Sequence, residues 1–278
     1  MDSVSAFGTR ATRAVGSALR LVAMAAAGIL AAANAEPARA ESGRAGIVTF
    51  TFDDGFQTQY SVAFPLLGER GMVGTLYIPS GFIDSKGAPS RLTWDEVREI
   101  SSAGWEIGSH TVSHPHLSDL SIEAARRELD ESKHDIARRI GHAPVSFSPP
   151  FGDYNDAMLA EISKDYQSSV LASGDQSGFA NDPRALNRFL IARFAVQDST
   201  APSALCDATI AAAKHKSWLV FEFHNVVDQT SGDFDYRRSE FEKVLDCVAK
   251  LRDDGSIRVL TTSGALQEFR KLTADKGN

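Results

Sequence analysis

Short runs of β-branched and aromatic residues alternate with longer amphipathic segments along the chain from residue 46 onward. The first run, Gly46–Phe52, contains no charged residue and ends at an Asp-Asp-Gly sequence, which predicts a buried strand followed by a turn. The pattern recurs seven more times, most weakly at Ser168–Leu171. The other predicted strands are Gly74–Ile78, Trp105–Ser109, Val145–Ser148, Phe189–Val196, Trp218–His224 and Ile257–Thr261.

Helical patterns fill the intervals between these strands. Thr93 and Glu96 have the spacing of a capping box, which predicts a helix that ends near Gly104. Ser121 and Gly141 bound a longer segment with apolar residues at helical spacing. Repeated strand-then-helix order favours a parallel sheet covered by helices on its outer side. We therefore predict an α/β fold, as a single closed or nearly closed barrel.

The N-terminal segment has the pattern of a secretory signal peptide. Three arginines precede an uncharged run from Leu21 to Ala35, which ends in the small residues Ala33-Asn34-Ala35. This run is shorter than the roughly 20 residues that span a bilayer, and an uncleaved N-terminal anchor is the alternative. We predict a signal peptide over residues 1–35, a linker over 36–45, one domain over 46–272 and a tail over 273–278. The mature chain then has no transmembrane segment and is secreted or periplasmic.

Composition narrows the class of protein. Of 278 residues, 43% are hydrophobic and 23% are charged, which excludes a disordered or collagen-like chain. The formal net charge of -7 leaves no basic surplus for phosphates, so we expect no nucleic-acid partner. The two cysteines, Cys206 and Cys247, lie in predicted helices on either side of one strand. Either they pair as a disulfide, as export allows, or they are two buried free thiols.

Two adjacent carboxylates, Asp53 and Asp54, follow the first predicted strand. In parallel barrels the reactive groups lie just past the carboxyl ends of the strands. Successive side chains of a strand alternate in direction, so the two carboxylates can take separate roles. The alternative is that Asp-Gly only forms a turn.

Three of the chain's seven histidines, His110, His114 and His116, follow the predicted strand Trp105–Ser109. His110 and His114 can bind one metal ion if the segment forms a single helical turn; the alternative is a solvated loop. His116 follows Pro115, and we expect it to support the site rather than bind the ion. Two histidines and one aspartate leave a coordination position open for water, as in catalytic metal sites. The remaining aspartate could then be a general base.

Two further strand ends carry candidate residues. Pro149 and Pro150 stiffen the loop after the fourth predicted strand, which could hold the backbone N–H of Phe151 as an oxyanion donor. An ordinary rigid turn is the alternative. His224 ends the predicted strand Trp218–His224 and is a candidate general acid, although a single histidine at a strand end is usually only a satisfied polar residue.

These motifs, in this order, resemble those of the polysaccharide deacetylase superfamily, also called the NodB-homology domain. The first family motif, TFDDG, is present at Thr51–Gly55, and the second, H-[S/T]-x-x-H, at His110–His114. Ser148–Gly152 is similar to the proline-rich third motif, and Phe221–His224 to the late strand that ends in histidine. The resemblance spans about residues 46–270 and implies a distorted (β/α)7 barrel.

The resemblance also implies a role for each motif residue. Asp53 corresponds to the general base and His224 to the general acid. The ligands of a divalent metal, usually zinc, correspond to Asp54, His110 and His114. The Phe151 N–H corresponds to the oxyanion donor, with Gly152 beside it at the substrate.

One position departs from the family pattern. The third motif commonly begins with an arginine that pairs with the base carboxylate, but this chain has Ser148 there. Some subgroups carry the arginine on a later strand, and Arg193 is similar to that pattern. We expect Arg193 to reach Asp53 and to keep it ionised; the alternative is an unrelated salt-bridged or surface arginine.

The resemblance implies hydrolysis of acetyl groups, most often from N-acetylated sugars in a polysaccharide. We therefore predict a metal-dependent deacetylase of an acetylated glycan, such as one that contains N-acetylglucosamine. The alternatives are a hydrolase of O-acetyl esters or small amides, and a barrel that binds glycan without turnover. The sequence leaves the oligomeric state and the metal's identity open.

Overall fold

Eight parallel strands form one curled sheet in the part of the chain that the structure describes. The computed structural model describes residues 45–86, 90–171 and 181–274. The sheet strands are β1 (Gly46–Asp53), β2 (Thr75–Ile78), β3 (Glu106–Ser109), β4 (Ser146–Phe147), β5 (Ser168–Ser169), β6 (Phe194–Ala195), β7 (Trp218–Phe223) and β10 (Ile257–Val259). Strands β8 (Asn225–Val227) and β9 (Asp235–Arg237) form a separate ladder.

Helices follow most of the strands, as the alternating pattern predicts. The helices are α1 (Phe64–Glu69), α2 (Trp94–Ser102), α3 (Ile122–Ile140), α4 (Asp156–Asp165), α5 (Pro202–His215), α6 (Arg238–Asp253) and α7 (Thr262–Ala274). The predicted capping box is present on α2, where the side chain of Thr93 accepts from the N–H of Glu96. Ser121 caps the start of α3, and Gly141 ends it in the left-handed conformation. The predicted bounds of both helices are confirmed.

Strand β1 holds the middle of the sheet, whose order is β5-β4-β3-β2-β1-β7-β6. One edge of β1 pairs with β7, while β10 pairs with its first half and β2 with its second half. All of these pairings are parallel, so the carboxyl ends of the strands meet at one edge of the sheet. The predicted (β/α)7 barrel class is confirmed as a curled sheet of this type.

Alternation along the strands separates a polar interior from an apolar exterior. Phe50 and Phe52 of β1 pack with Phe223 and Phe241 in the large core cluster beneath the helices. The residues between them face the other way, and buried Thr51 bonds the Phe221 carbonyl at 2.8 Å. The sheet therefore directs every second side chain of β1 and β7 into the interior.

Two strand predictions need correction. Within the predicted strand Phe189–Val196, only β6 is regular, because the segment contacts two different strands in turn. Ile191 pairs with Val170 next to β5, whereas Phe194–Ala195 pairs with β7. The chain therefore crosses from one edge of the sheet to the other. The predicted strand Trp218–His224 ends at Phe223, which leaves His224 just beyond it.

The predicted signal peptide (1–35), linker and tail lie outside the described residues, except for Ala45 at the linker's end and Thr273 and Ala274 in the tail. The described residues all belong to one unit, Ser42–Asn278. No helix among those described has the length and apolar character needed to cross a membrane.

A disulfide between Cys206 on α5 and Cys247 on α6 decides the open question about the thiols. The structure also adds β8 and β9 to the one strand predicted between these helices. We predict that the double variant Cys206→Ala/Cys247→Ala loses about 4 kcal/mol of unfolding free energy, because the bond closes a long loop in the unfolded chain. Urea unfolding monitored by circular dichroism measures this loss. Reduced wild-type protein is the control and should lose the same amount; a double variant as stable as oxidised wild type contradicts the prediction.

Candidate functional site

The two adjacent carboxylates diverge where β1 ends. Asp53 is the last residue of β1 and is 2% exposed. Asp54 and Gly55 both have positive φ, 75° and 65°, which turns the chain sharply. Aspartate tolerates this conformation better than most residues, and glycine adopts it freely. The turn sends the carboxylates to different neighbours.

The predicted helical turn between His110 and His114 is wrong. Residues 110–116 form an irregular loop in which Thr111 and His114 have positive φ. A carboxylate from α3 holds this loop, since Glu128 accepts the N–H of Val112 at 2.8 Å and that of Ser113 at 2.9 Å. Glu128 could not be predicted as part of the site, because the sequence shows only its regular position in a helix.

The loop nevertheless brings three metal-binding groups together. Oδ1 of Asp54 lies 3.1 Å from Nε2 of His114 and 3.5 Å from Nε2 of His110. Donor atoms roughly 2 Å from a tetrahedral ion are about 3.3 Å apart, so the observed spacing fits a zinc-like ion. Oδ1 of Asp54 is buried and has no aligned hydrogen-bond donor among the described residues.

Hydrogen bonding orients one of these imidazoles for metal binding. Nδ1 of His110 lies 2.6 Å from the carbonyl oxygen of Ser148, so it is the protonated nitrogen and Nε2 is left as the ligand atom. Burial lowers the pKa of His110, but the nearby carboxylates of Asp54 and Asp53 outweigh it and raise the pKa. The three residues therefore fit a divalent cation.

Arg193 reaches Asp53, as expected from its place in the sequence. Nη1 and Nη2 of Arg193 each donate to one oxygen of Asp53 at 2.9 Å. The hydroxyl of Ser148 also donates to Asp53, at 3.1 Å. Burial raises the pKa of Asp53, but Arg193, through its charge and its hydrogen bonds, together with His110 and His224, lowers it by more in sum, so the pKa lies below its usual value. Asp53 is held as a carboxylate.

Two residues at the carboxyl end of β7, Glu222 and His224, lie near Asp53. Glu222 was not among the residues predicted from the sequence. Glu222 is buried and accepts from Nη2 of Arg193 at 2.8 Å. Burial raises the pKa of Glu222 to about 8, although Arg193 opposes the shift. Burial also lowers the pKa of His224, which is therefore a neutral imidazole at neutral pH. The sequence does carry a signal for Glu222, because it is the one acidic residue in an otherwise apolar strand.

The proline-rich loop lies against the histidines. Phe151 has a φ of 60° and its ring stacks on that of His116, with centroids 3.9 Å apart. The N–H of Gly152 donates to the Pro149 carbonyl at 3.0 Å and is thus engaged in a turn, so Gly152 does not offer a donor to substrate. His116 lies outside the three-residue cluster, in agreement with a supporting position.

One cavity of about 290 Å³ connects all these groups. Its walls include Asp53, Asp54, His110, His114, Phe151, Gly152, Arg193, Glu222, His224 and Phe234. Phe234, also missed from sequence, is 58% exposed, and its ring lies 4.8 Å from that of His224. The cavity combines three ligand atoms, an ionised carboxylate and a neutral imidazole, which is a suitable set for metal-assisted hydrolysis.

Comparison with known proteins finds similarity to polysaccharide deacetylases. Residues 40–168 match the family model described as polysaccharide deacetylase. A Bacillus subtilis protein provisionally named polysaccharide deacetylase YxkH is 30% identical over 141 residues, which are 51% of this chain and 47% of that protein. The peptidoglycan-N-acetylglucosamine deacetylase of Bacillus cereus is 26% identical over 40% of this chain and 38% of its own length. The chain spans about half the length, or less, of these curated relatives.

A solved structure agrees with the fold. Peptidoglycan deacetylase PdaC from Bacillus subtilis superposes with a TM-score of 0.54 at 18% identity, over 85% of this chain and 96% of the other. At this level of identity, the likeness supports the fold alone.

Removal of the Asp54 carboxylate tests the metal site. We predict that Asp54→Ala lowers zinc affinity by at least about 100-fold, because even the loss of a partner behind a ligand costs 10–100-fold. Asp53→Asn, altered at the adjacent residue, is the matched control and should keep its affinity within a few-fold. Competition titration with a zinc chelator measures both. Equal zinc affinities for the two variants would show that Asp54 is not a ligand.

Proposed function

We propose that this chain, which belongs to the polysaccharide deacetylase family, is a metal-dependent hydrolase that removes acetyl groups from a glycan. The observation that carries the proposal is the convergence of Asp54, His110 and His114 beside Asp53 and His224 in one cavity. The name of the Bacillus cereus relative supports an N-acetylated amino sugar as substrate. The proposed catalytic domain covers residues 46–272.

Asp54, His110 and His114 would hold the cation, with zinc as the proposed metal. Such an ion supplies Lewis-acid polarisation of the acetyl carbonyl and acidifies a water molecule. The geometry leaves Asp53 outside this ligand set, because Arg193 and Ser148 occupy its oxygens. Asp53 is thus free to act as the base.

Proton transfer is assigned to two neighbouring side chains of the cavity, Asp53 and His224. Asp53 is ionised and takes a proton from the attacking water. His224 is proposed as the acid: one ring nitrogen gives a proton to the nitrogen that leaves while the other gains one, so that the product is an amine and the imidazole ends neutral. The N–H of Phe151, on the stiff proline loop, is proposed as the donor to the developing oxyanion.

The disulfide supports export of the protein, since such bonds persist mainly in oxidising compartments. We propose that the chain acts outside the cytoplasm after removal of residues 1–35. The acetylated polymers of cell walls are found there, in agreement with the proposed substrate class.

An acetate-release assay tests the function and the role of Asp53 together. We predict metal-dependent acetate release from N-acetylglucosamine oligomers or peptidoglycan, and a loss of about 10²–10⁴-fold in turnover for Asp53→Asn, because the base is removed. Asp246→Asn, on the surface of α6, is the control and should retain wild-type turnover.

Other outcomes of this assay point to the alternatives. Release from acetyl-xylan but not from the amides would indicate an O-acetyl esterase. Glycan binding without acetate from any substrate would contradict the deacetylase proposal and favour a binding barrel.

Arg193 is proposed to keep Asp53 ionised and oriented. We predict that Arg193→Ala lowers turnover by at least about 10-fold and keeps metal content unchanged, because the guanidinium contacts the base and none of the three ligands. Arg126→Ala removes a salt bridge between α3 and α4 and serves as the control. Acetate release and zinc content, measured on folded samples, test this role. Wild-type turnover in Arg193→Ala would eliminate it.

A further inference from the structure

Glu222 lies in an unusual place for an acidic residue. It is 4% exposed and belongs to β7, whose other residues are all apolar. In the sheet register it lies opposite Thr51, so it is near Asp53, two residues further along β1. His224 follows Glu222 by two residues and therefore emerges on the same side. Glu222 and His224 both line the cavity.

One carboxyl oxygen of Glu222 has no hydrogen-bond partner among the described residues. Its Oε1 accepts from Arg193, but its Oε2 is buried with no partner among the described residues. Nδ1 of His224 is also buried and without a described partner. Asp53, Glu222 and His224 each offer an atom within 4.8 Å of the other two. The carboxyl group of Glu222 and the imidazole of His224 are thus close enough for one water to bridge them.

The surrounding charges favour a neutral Glu222. Arg193 provides one positive charge, and Asp53 holds it through two hydrogen bonds. Asp53 disfavours a further negative charge at Glu222, and His224 is uncharged at neutral pH. Two carboxylates that share one buried cation do not ionise equally, so Asp53 is the carboxylate and Glu222 the carboxylic acid.

We propose that Glu222 is a positioning residue that stores the proton for the leaving amine and passes it to His224. The inference rests on the proposed function. When the amide C–N bond breaks, the other ring nitrogen of His224 gives its proton to the leaving nitrogen. In the same step, Nδ1 takes the Oε2 proton of Glu222 through one water, so that no imidazolate forms. Glu222 becomes a carboxylate against Arg193 while Asp53 carries the proton taken from water, so the charge around Arg193 does not change.

The role requires a dependence on the leaving group. An amine must be protonated as it leaves, whereas 4-nitrophenolate leaves without a proton. We expect Glu222→Gln to lower kcat on N-acetylglucosamine oligomers by about 100-fold with KM unchanged, the magnitude of general-acid catalysis. The same variant should hydrolyse 4-nitrophenyl acetate within about threefold of wild type. Glu161→Gln, a salt-bridged glutamate between α3 and α4, is the matched control.

The pH profile separates this role from simple support of Arg193. Wild-type kcat on the amide should fall as pH rises through about 8, because Glu222 loses its proton there. This decline should disappear in Glu222→Gln and return in Glu222→Asp. Equal losses on the amide and the ester, or an unchanged pH profile, would overturn the proposal.

A spectroscopic test needs no activity. Infrared titration of the wild-type protein from pH 6 to 10 should show the carbonyl band of a protonated carboxylic acid disappearing near pH 8, and the band should be altered in Glu222→Asp. Its absence at pH 6 would overturn the inference, even if Glu222→Gln does not fold. If wild type releases no acetate at all, the proposed function fails, while the infrared titration still decides the protonation of Glu222.

Discussion

The buried guanidinium of Arg193 is the interaction on which the arrangement of the site depends. It is 1% exposed and donates to Asp53 on β1 and to Glu222 on β7. A buried cation is tolerated only when its partners stay in place, because an unpaired one costs several kcal/mol. The segment between β5 and β7, which carries Arg193, is therefore held against β1 and β7. Arg193 thus links β1, β7 and the segment that carries it, and it holds Asp53 as a carboxylate.

Local signals made much of the fold predictable. The capping box at Thr93 and the Ser121–Gly141 boundaries are chosen by hydrogen bonds within a few residues, so the sequence carries them directly. The segment Phe189–Val196 could not be predicted in this way. It is rich in residues that favour strands, but it pairs first beside β5 and then with β7. Only the tertiary structure determines that the chain crosses between these two strands. The strands β8 and β9 have three residues each, which is too short to show an alternating pattern, and they were not predicted.

The site was predictable where residues occur at strand ends. Because the strands are parallel, Asp53 and His224 had to emerge at one edge of the sheet. The backbone of the histidine loop was not predictable, since Thr111 adopts a positive φ that a β-branched residue disfavours. Hydrogen bonds that the loop N–H groups of Val112 and Ser113 donate to Glu128, a remote helical residue, hold the loop. Glu222 was overlooked because its strand is defined by its apolar neighbours.

Ser148 and Arg193 are physically coupled. The hydroxyl of Ser148 is buried, bonds Asp53, and accepts from Nη2 of Arg193 at 3.2 Å. A side chain as long as arginine at position 148 would occupy the space that the guanidinium of Arg193 fills, and it would place a second cation beside the first. A small residue at position 148 therefore leaves room for the guanidinium of the arginine at position 193. Arg193 belongs to the segment that crosses between β5 and β7, and its Nη2 donates to both Asp53 and Glu222. The two imidazoles and Asp54 form a separate group in the same cavity.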